Sequence, residues 1–235
     1  MSIFDTEYTL VLLRHGHSEW NLTDRFTGWT DIPLTEVGLS EAAEAGRQLA
    51  AAGYGFDEVH ISILQRTRQT AEKLLEAMGT PGVPVFPTWR LNERHYGALQ
   101  GLNKKEIFAT WGEQESRRWW RGYSDPPPPL DINDPRHPRF NSLFAELAAD
   151  ELPASESLFD CQCRTLPYWN EVLAPRLCAG RKLLVISHGN TLRGLVMHLE
   201  KLSAEEMEHV EIPSGVPLVY QLSKEMKVAS KTWLE

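Results

Sequence analysis

Two histidines carry the chemistry this sequence suggests. Arg14-His15-Gly16 and Ser187-His188-Gly189 each follow a short apolar run. Each sets an imidazole beside a glycine, where backbone can approach a ligand closely. Imidazole is largely uncharged near neutral pH and is a competent nucleophile. A phosphoryl group in transfer gathers negative charge on its equatorial oxygens, so it needs cations around it. Arg14 brings a planar guanidinium to one histidine, and Arg66, just after a second apolar run, brings another with geometry suited to phosphate. His188, if protonated, is a third expected cation. These groups point to phosphoryl transfer without a metal. A single histidine after a strand is ordinarily a hydrogen-bonded loop residue; two in the same setting, one flanked by Arg14, weigh toward chemistry.

Strands must position these groups. Tyr8–Leu13, Phe56–Ile61, Val83–Phe86, Lys182–Ile186 and Pro217–Leu222 read as strands, the last closing the fold. Thr35–Ala52 reads as an amphipathic helix capped by Thr35 and ended by Gly53, and Thr67–Met78 as a second. Lys104–Trp120 looks helical, Ser155–Leu177 is helical but interrupted at Pro167 and Pro175, and a last helix covers Thr191–Leu199. Apolar, non-alternating strands interleaved with helices predict an α/β fold, a mostly parallel sheet with helices on both faces. In such a sheet both histidines emerge at the carboxyl edge, where ligands bind. Residues 1–235 read as a single domain. Asn92 to about Leu152 is a largely helical and irregular insertion over one edge, in which Pro126–Pro129 and Pro135–Pro138 bar long regular structure.

Apolar residues make up 42% and charged residues 24%, an ordinary globular balance. With 24 basic against 32 acidic side chains the net charge is −8, which argues against nucleic acid or an anionic membrane as partner. It leaves a small anionic substrate open, because a site can be locally basic. The first residues carry no signal-peptide pattern and no run approaches the roughly 18 apolar residues of a membrane span, so a cytoplasmic setting is expected. Cys161, Cys163 and Cys178 form no disulfide or metal framework.

The residues also carry a resemblance. Leu12-Leu13-Arg14-His15-Gly16-His17-Ser18-Glu19-Trp20-Asn21 resembles the signature of the histidine phosphatase superfamily. Three further blocks narrow it: Arg25-Phe26-Thr27-Gly28-Trp29, the stretch Leu91-Asn92-Glu93-Arg94-His95-Tyr96-Gly97-Ala98-Leu99-Gln100-Gly101-Leu102-Asn103-Lys104, and Ser187-His188-Gly189-Asn190-Thr191-Leu192-Arg193. Together they resemble the cofactor-dependent phosphoglycerate mutases, from about Thr9 to about Leu222. The first block is shared by many phosphatases; the Leu91–Lys104 block is far more specific.

The resemblance implies interconversion of 3-phosphoglycerate and 2-phosphoglycerate, primed by 2,3-bisphosphoglycerate and with no metal. His15 is then the phosphoryl carrier. Arg14, Arg66 and His188 hold the phosphoryl oxygens, with Asn21 and Gly189 assisting, and Glu93 is the general acid and base. Ser18, Thr27, Gly28, Arg94, Tyr96, Lys104, Arg121 and Asn190 match positions that contact substrate. A homodimer or higher homo-oligomer is implied as well.

Three departures stand out. Mutases typically carry two adjacent arginines where this chain has Trp120-Arg121. Arg118, one helical turn back, is expected to substitute in part. His17 stands where the family usually has Glu. Only Ser223–Glu235 follow the expected last strand, a shorter lid that would admit more water. Trp111, Trp119 and Trp120 read as packing, and Arg117, Arg118 and Arg121 read equally as an exposed basic face. The competing readings are a phosphohydrolase or bisphosphoglycerate mutase/phosphatase on the same nucleophile, a silent phospho-ligand module, and a metal enzyme. The last two are disfavoured by the full set of reactive residues and by the absence of metal-ligand spacing.

Overall fold

The computed structural model describes residues 7–234. In chain order the elements are β1 (Tyr8–Arg14), α1 (Glu19–Leu22), α2 (Glu36–Ala51), β2 (Glu58–Ile61), α3 (Gln65–Ala77), β3 (Val85–Pro87), α4 (Lys104–Trp111), α5 (Glu113–Arg121), α6 (Leu158–Tyr168), α7 (Ala174–Cys178), β4 (Leu183–Ser187), α8 (Gly189–Glu200), α9 (Ala204–Glu208), β5 (Leu218–Leu222) and β6 (Val228–Trp233). The sheet runs β3-β2-β4-β1-β5-β6. The first four strands are parallel, and β5 and β6 are antiparallel additions. The α/β, mostly parallel architecture expected from the strand pattern is therefore present.

Alternation along each strand divides the core into two layers. Leu10, Leu12, Leu183, Val185, Leu218 and Tyr220 face α6 to α9, packing on Trp169, Leu173, Leu195 and Met207. Val11, Leu13, Val59, Ile61, Leu184 and Ile186 face α2 and α3 through Ala45, Leu49, Ala71 and Leu74. Burying strands on both sides is what makes their sequences continuously apolar. Thr35 caps α2 by accepting the Gly38 N–H at 3.1 Å, as its type predicts.

The β1–β4 register sets Arg14 beside Ser187. The next residues, His15 and His188, must then leave the sheet side by side, and the His15 N–H donates to the Ser187 carbonyl at 3.1 Å.

Three details differ from the sequence reading. The helix expected over 104–120 is broken at Gly112, whose φ of +80° suits glycine and turns the chain into α5. Pro167 does not interrupt α6; the chain runs on through a π-helical segment, Trp169–Leu173, and Pro175 sits at the start of α7. The residues between Asn92 and Leu152 form 3-10 turns and short helices as expected, with Phe144 packed on Trp29 at 4.9 Å between ring centroids. Finally, Leu222 does not close the fold: residues 223–227 turn the chain back and β6 pairs with β5, so the stretch expected to act as a shortened lid is an edge strand.

Candidate active site

His15 is buried at the end of β1, 4% exposed. Its Nδ1 lies 2.7 Å from the Gly16 carbonyl oxygen, which can only accept. That partner places the proton on Nδ1 and leaves Nε2 as the lone-pair nitrogen. Burial, reinforced by the charges of Arg66 and Arg14, holds His15 well below the usual histidine pKa. The ring of His188 stands edge-on to it, with centroids 4.9 Å apart.

His188 corrects one expectation. Arg66 Nε donates to its Nδ1 at 3.1 Å, so Nδ1 must carry a lone pair, and Nε2 then donates to Ser62 Oγ at 2.8 Å. Burial and the adjacent Arg66 also hold it well below its usual pKa. His188 is neutral here and is no third cation. Arg66 spends its other donors on the Thr30 and Gly28 carbonyls at 2.9 and 2.8 Å. Although burial lowers its pKa to about 10, it remains charged at neutral pH, a cation fixed behind the histidine pair.

In front of this pair opens a cleft of about 110 Å³. Of the expected residues, Arg14, Asn21, Thr27, Gly28, Glu93, Tyr96, Lys104, Arg121, Gly189 and Asn190 line it. The other five, His15, Arg66, His188, Ser18 and Arg94, are buried rather than part of its wall. Ser18 donates to Asn21 Oδ1 from both its N–H and its hydroxyl, at 3.0 and 2.9 Å, and so aims Asn21. Arg94 donates from Nη2 to the Trp120 carbonyl at 2.9 Å and lies over the Tyr96 ring. Gly28 takes φ +56°, and a Cβ there would strike the Gln100 side chain. Gly16 and Gly38 similarly let the loop after β1 lie against the first turn of α2.

Glu93 faces the cleft from the segment before α4. Its Oε1 accepts the Arg94 N–H at 2.8 Å and the Asn190 N–H, in the first turn of α8, at 3.2 Å. A Cβ built on Gly189 would lie 3.9 Å from Glu93 Oε2 and 3.7 Å from Arg14 Nε, so carboxylate and guanidinium converge there.

Sequence reasoning missed Arg25, Phe26, Arg193, Glu211 and Ile212 in the lining. Arg193 ends the Ser187–Arg193 block, and that block was the available signal. Its Nη1 donates to Asn190 Oδ1 at 3.1 Å and Nη2 to the Met207 carbonyl at 2.7 Å, while burial lowers its pKa to about 10. Glu211, which pairs with Arg121 at 2.5 Å, stands in a polar loop with no sequence signal. Five cations and two carboxylates line the cleft, against the chain's overall charge of −8. Arg14 Nε, Arg94 Nε and Nη1, and Arg193 Nε are buried without a protein acceptor. Buried donors of this kind are costly unless paired, so the residues present fit a small polyanion such as a bisphosphorylated glycerate.

Two of the three departures resolve at the site. Arg118 does not replace the missing arginine: it donates to Glu115 at 3.0 Å and Asp125 at 2.6 Å and is absent from the lining. Trp120 is more than packing, since its ring lines the cleft under Lys104 and Arg121, with their charges 5.4 and 4.6 Å from its centroid. His17 is engaged with Glu41 on α2, at 2.7 Å from Nδ1. Among the described residues no group of three or more His, Cys, Asp and Glu side chains could hold a metal ion, and no helix is long and apolar enough to cross a membrane.

Comparison with known proteins fits this geometry. The family model of the histidine phosphatase superfamily (branch 1) matches residues 10–149. The 2,3-bisphosphoglycerate-dependent phosphoglycerate mutase of Nitratidesulfovibrio vulgaris (strain DSM 19637 / Miyazaki F) is 49% identical over 227 residues, 97% of this chain and 91% of that protein. Among solved structures, a mycobacterial glucosyl-3-phosphoglycerate phosphatase in complex with VO3 matches with a TM-score of 0.69 at 25% identity, over 96% of both chains. YhfR of Bacillus stearothermophilus matches in fold with a TM-score of 0.70 at 22% identity, over 94% of this chain and 93% of that one.

Proposed function

The chain belongs to the histidine phosphatase superfamily, and on that premise we propose that it interconverts 3-phosphoglycerate and 2-phosphoglycerate through a phosphoryl group carried on His15. The observation that carries this reading is the 49% identity to the Nitratidesulfovibrio mutase across 97% of the chain.

The geometry supplies a mechanism. Neutral His15 attacks phosphorus through Nε2 while Nδ1 stays anchored on the Gly16 carbonyl. As the N–P bond forms, the bond from phosphorus to the substrate oxygen breaks, and Glu93 gives that oxygen its proton. In the return step the acceptor hydroxyl loses its proton to Glu93 as its oxygen attacks the phosphohistidine. In the primed enzyme the second of these steps comes first: the hydroxyl of a monophosphoglycerate takes the phosphoryl group from His15, the bisphosphate so formed turns in the cleft, and His15 then attacks its other phosphorus. Charge on the phosphoryl oxygens is met by Arg14, by Arg66 behind it, by Asn21, and by the N-terminus of α8 at Gly189. Neutral His188 keeps Arg66 in place. Thr27, Gly28, Arg94, Tyr96, Lys104, Arg121 and Asn190 take the carboxylate and the second phosphate, with Ser18 acting through Asn21. Bound 2,3-bisphosphoglycerate supplies the priming phosphoryl group, held by the same cations.

The reading also includes a cytoplasmic setting and a homo-oligomeric assembly. Incubation with 3-phosphoglycerate, with and without a trace of 2,3-bisphosphoglycerate, tests it. Cofactor-stimulated 2-phosphoglycerate with little free phosphate is expected; phosphate as the main product would overturn the mutase in favour of a phosphatase.

A further inference from the structure

Arg164 on α6 and Glu156 just before it stand outside the cleft lining, yet they grip the segment that presents Glu93. Both side chains are 6% exposed, and they form a two-pronged ion pair, Nε to Oε1 at 2.7 Å and Nη2 to Oε2 at 3.0 Å. Burial alone would lower the pKa of Arg164, but the Glu156 carboxylate carries the net shift upward and keeps the charge. Apart from a contact of Nη2 with Cys161 Sγ at 3.4 Å, the remaining donors of Arg164 fall on backbone. Nη1 donates to the carbonyls of Trp89 and Arg90 at 3.2 and 2.9 Å, and Nη2 to those of Asn92 and Glu93, both at 3.2 Å. Glu156 meanwhile accepts the N–H of His95 at 2.8 Å. The pair therefore clasps the chain on both sides of Glu93.

Other side chains complete the grip. Ser187 Oγ donates to the Leu91 carbonyl at 2.7 Å, Thr191 Oγ1 to Asn92 at 2.6 Å, and the indole N–H of Trp29 to Glu93 at 2.7 Å. Every carbonyl from Arg90 to Glu93 is thus held by a side chain rather than by a sheet or helix ladder, and that of Trp89 accepts both Arg164 and the Asn92 N–H of a 3-10 turn. A buried ion pair is a poor source of net stability, because desolvating both charges offsets their attraction. Five directed bonds to one irregular segment are, by contrast, an effective way to fix a side chain's origin.

We propose that the Arg164–Glu156 pair is a positioning device for Glu93, setting where its carboxylate meets the substrate oxygen without itself touching substrate. This rests on the reading of Glu93 as the acid–base group. The test is a mutant cycle in the full-length protein with steady-state kinetics on 3-phosphoglycerate, after thermal melts show that each variant folds. Glu93→Gln should lower kcat by about 10²–10⁴-fold. Arg164→Lys keeps the charge but not the fork, and should lower kcat by roughly ten- to a hundredfold, as expected for a misplaced reacting group, with KM little changed. Adding Arg164→Lys to Glu93→Gln should cost no more than about twofold further, because the positioned group is already gone. Trp29→Phe, which removes the indole donor and keeps an aromatic ring, supplies the same comparison if Arg164→Lys does not fold. Its kcat loss should likewise vanish beside Glu93→Gln. Folded variants with unchanged kcat, losses that multiply in the double variants, or a rise in KM alone would overturn the positioning role. Full turnover in Glu93→Gln would instead overturn the acid–base reading itself.

Discussion

Trp120 offers the sharpest test of how the cleft holds its anion. Its ring supports two cations, Lys104 at 5.4 Å and Arg121 at 4.6 Å from the centroid. Each such contact at a partly exposed site is worth about 0.5–1 kcal/mol, so the two together contribute about 1–2 kcal/mol to holding the charges in place. Trp120→Leu keeps apolar contact with Phe108 and leaves the Trp120 carbonyl on Arg94 undisturbed. Lys104 keeps Asp24 and Arg121 keeps Glu211, but these exposed partners do not replace the ring beneath the two cations. Converted at 1.36 kcal/mol per tenfold, the loss predicts that KM for 3-phosphoglycerate rises by about 5- to 30-fold. The kcat value should stay close to wild type, because the chemistry runs through His15 and Glu93. Continuous measurement of 2-phosphoglycerate formation across a range of substrate concentrations separates the two constants. An unchanged KM, or a large fall in kcat at constant KM, would refute the idea that this aromatic ring organises the substrate clamp.

Three other outcomes follow from the same structure. Glu211→Gln releases Arg121 from an exposed partner worth at most about 1 kcal/mol, so KM should fall by roughly two- to fivefold; a higher KM would contradict the competition. Nitrogen NMR at about pH 6 should show neutral rings with the proton on Nδ1 of His15 and on Nε2 of His188, and a protonated ring on either would contradict the assignment. Two other buried histidines set acid stability. Burial lowers His60 to about 4 and His95 to about 3, whereas the unfolded chain binds the proton near its ordinary value. Their stabilisation is therefore complete above about pH 6.5 and is lost as pH falls from there toward those folded values. At pH 5 each should have lost about 2 kcal/mol, visible as a lower urea midpoint than at pH 7; equal midpoints would exclude the effect.

The histidine pair was legible because little else was possible. Two apolar strands in a parallel sheet must be neighbours or near neighbours, and a residue at each carboxyl end then reaches the same edge. Arg14 opposite Ser187 realises that register. What the sequence concealed depends on the direction of individual side chains. The neutrality of His188 follows from which Arg66 nitrogen meets it, a detail no spacing encodes. Arg118 sits one turn from Arg121, yet Glu115 and Asp125 draw it away from the cleft. The strand Val228–Trp233 escaped notice because an edge strand buries little, and its exposed Ser230, Lys231 and Thr232 read as a polar tail. Arg164 escaped as well, because its importance lies in five backbone carbonyl and carboxylate partners scattered from residue 89 to 156.

The central claim is that His15 carries the phosphoryl group between the two oxygens of a glycerate. Phosphorus-labelled 2,3-bisphosphoglycerate mixed rapidly with the protein, followed by acid-sensitive detection of the label and peptide mapping, addresses it directly. The account predicts an acid-labile label on His15 that transfers to added 3-phosphoglycerate at least as fast as steady-state turnover and is absent from His15→Asn. Label on another residue, retained label in His15→Asn, or transfer slower than turnover would contradict it.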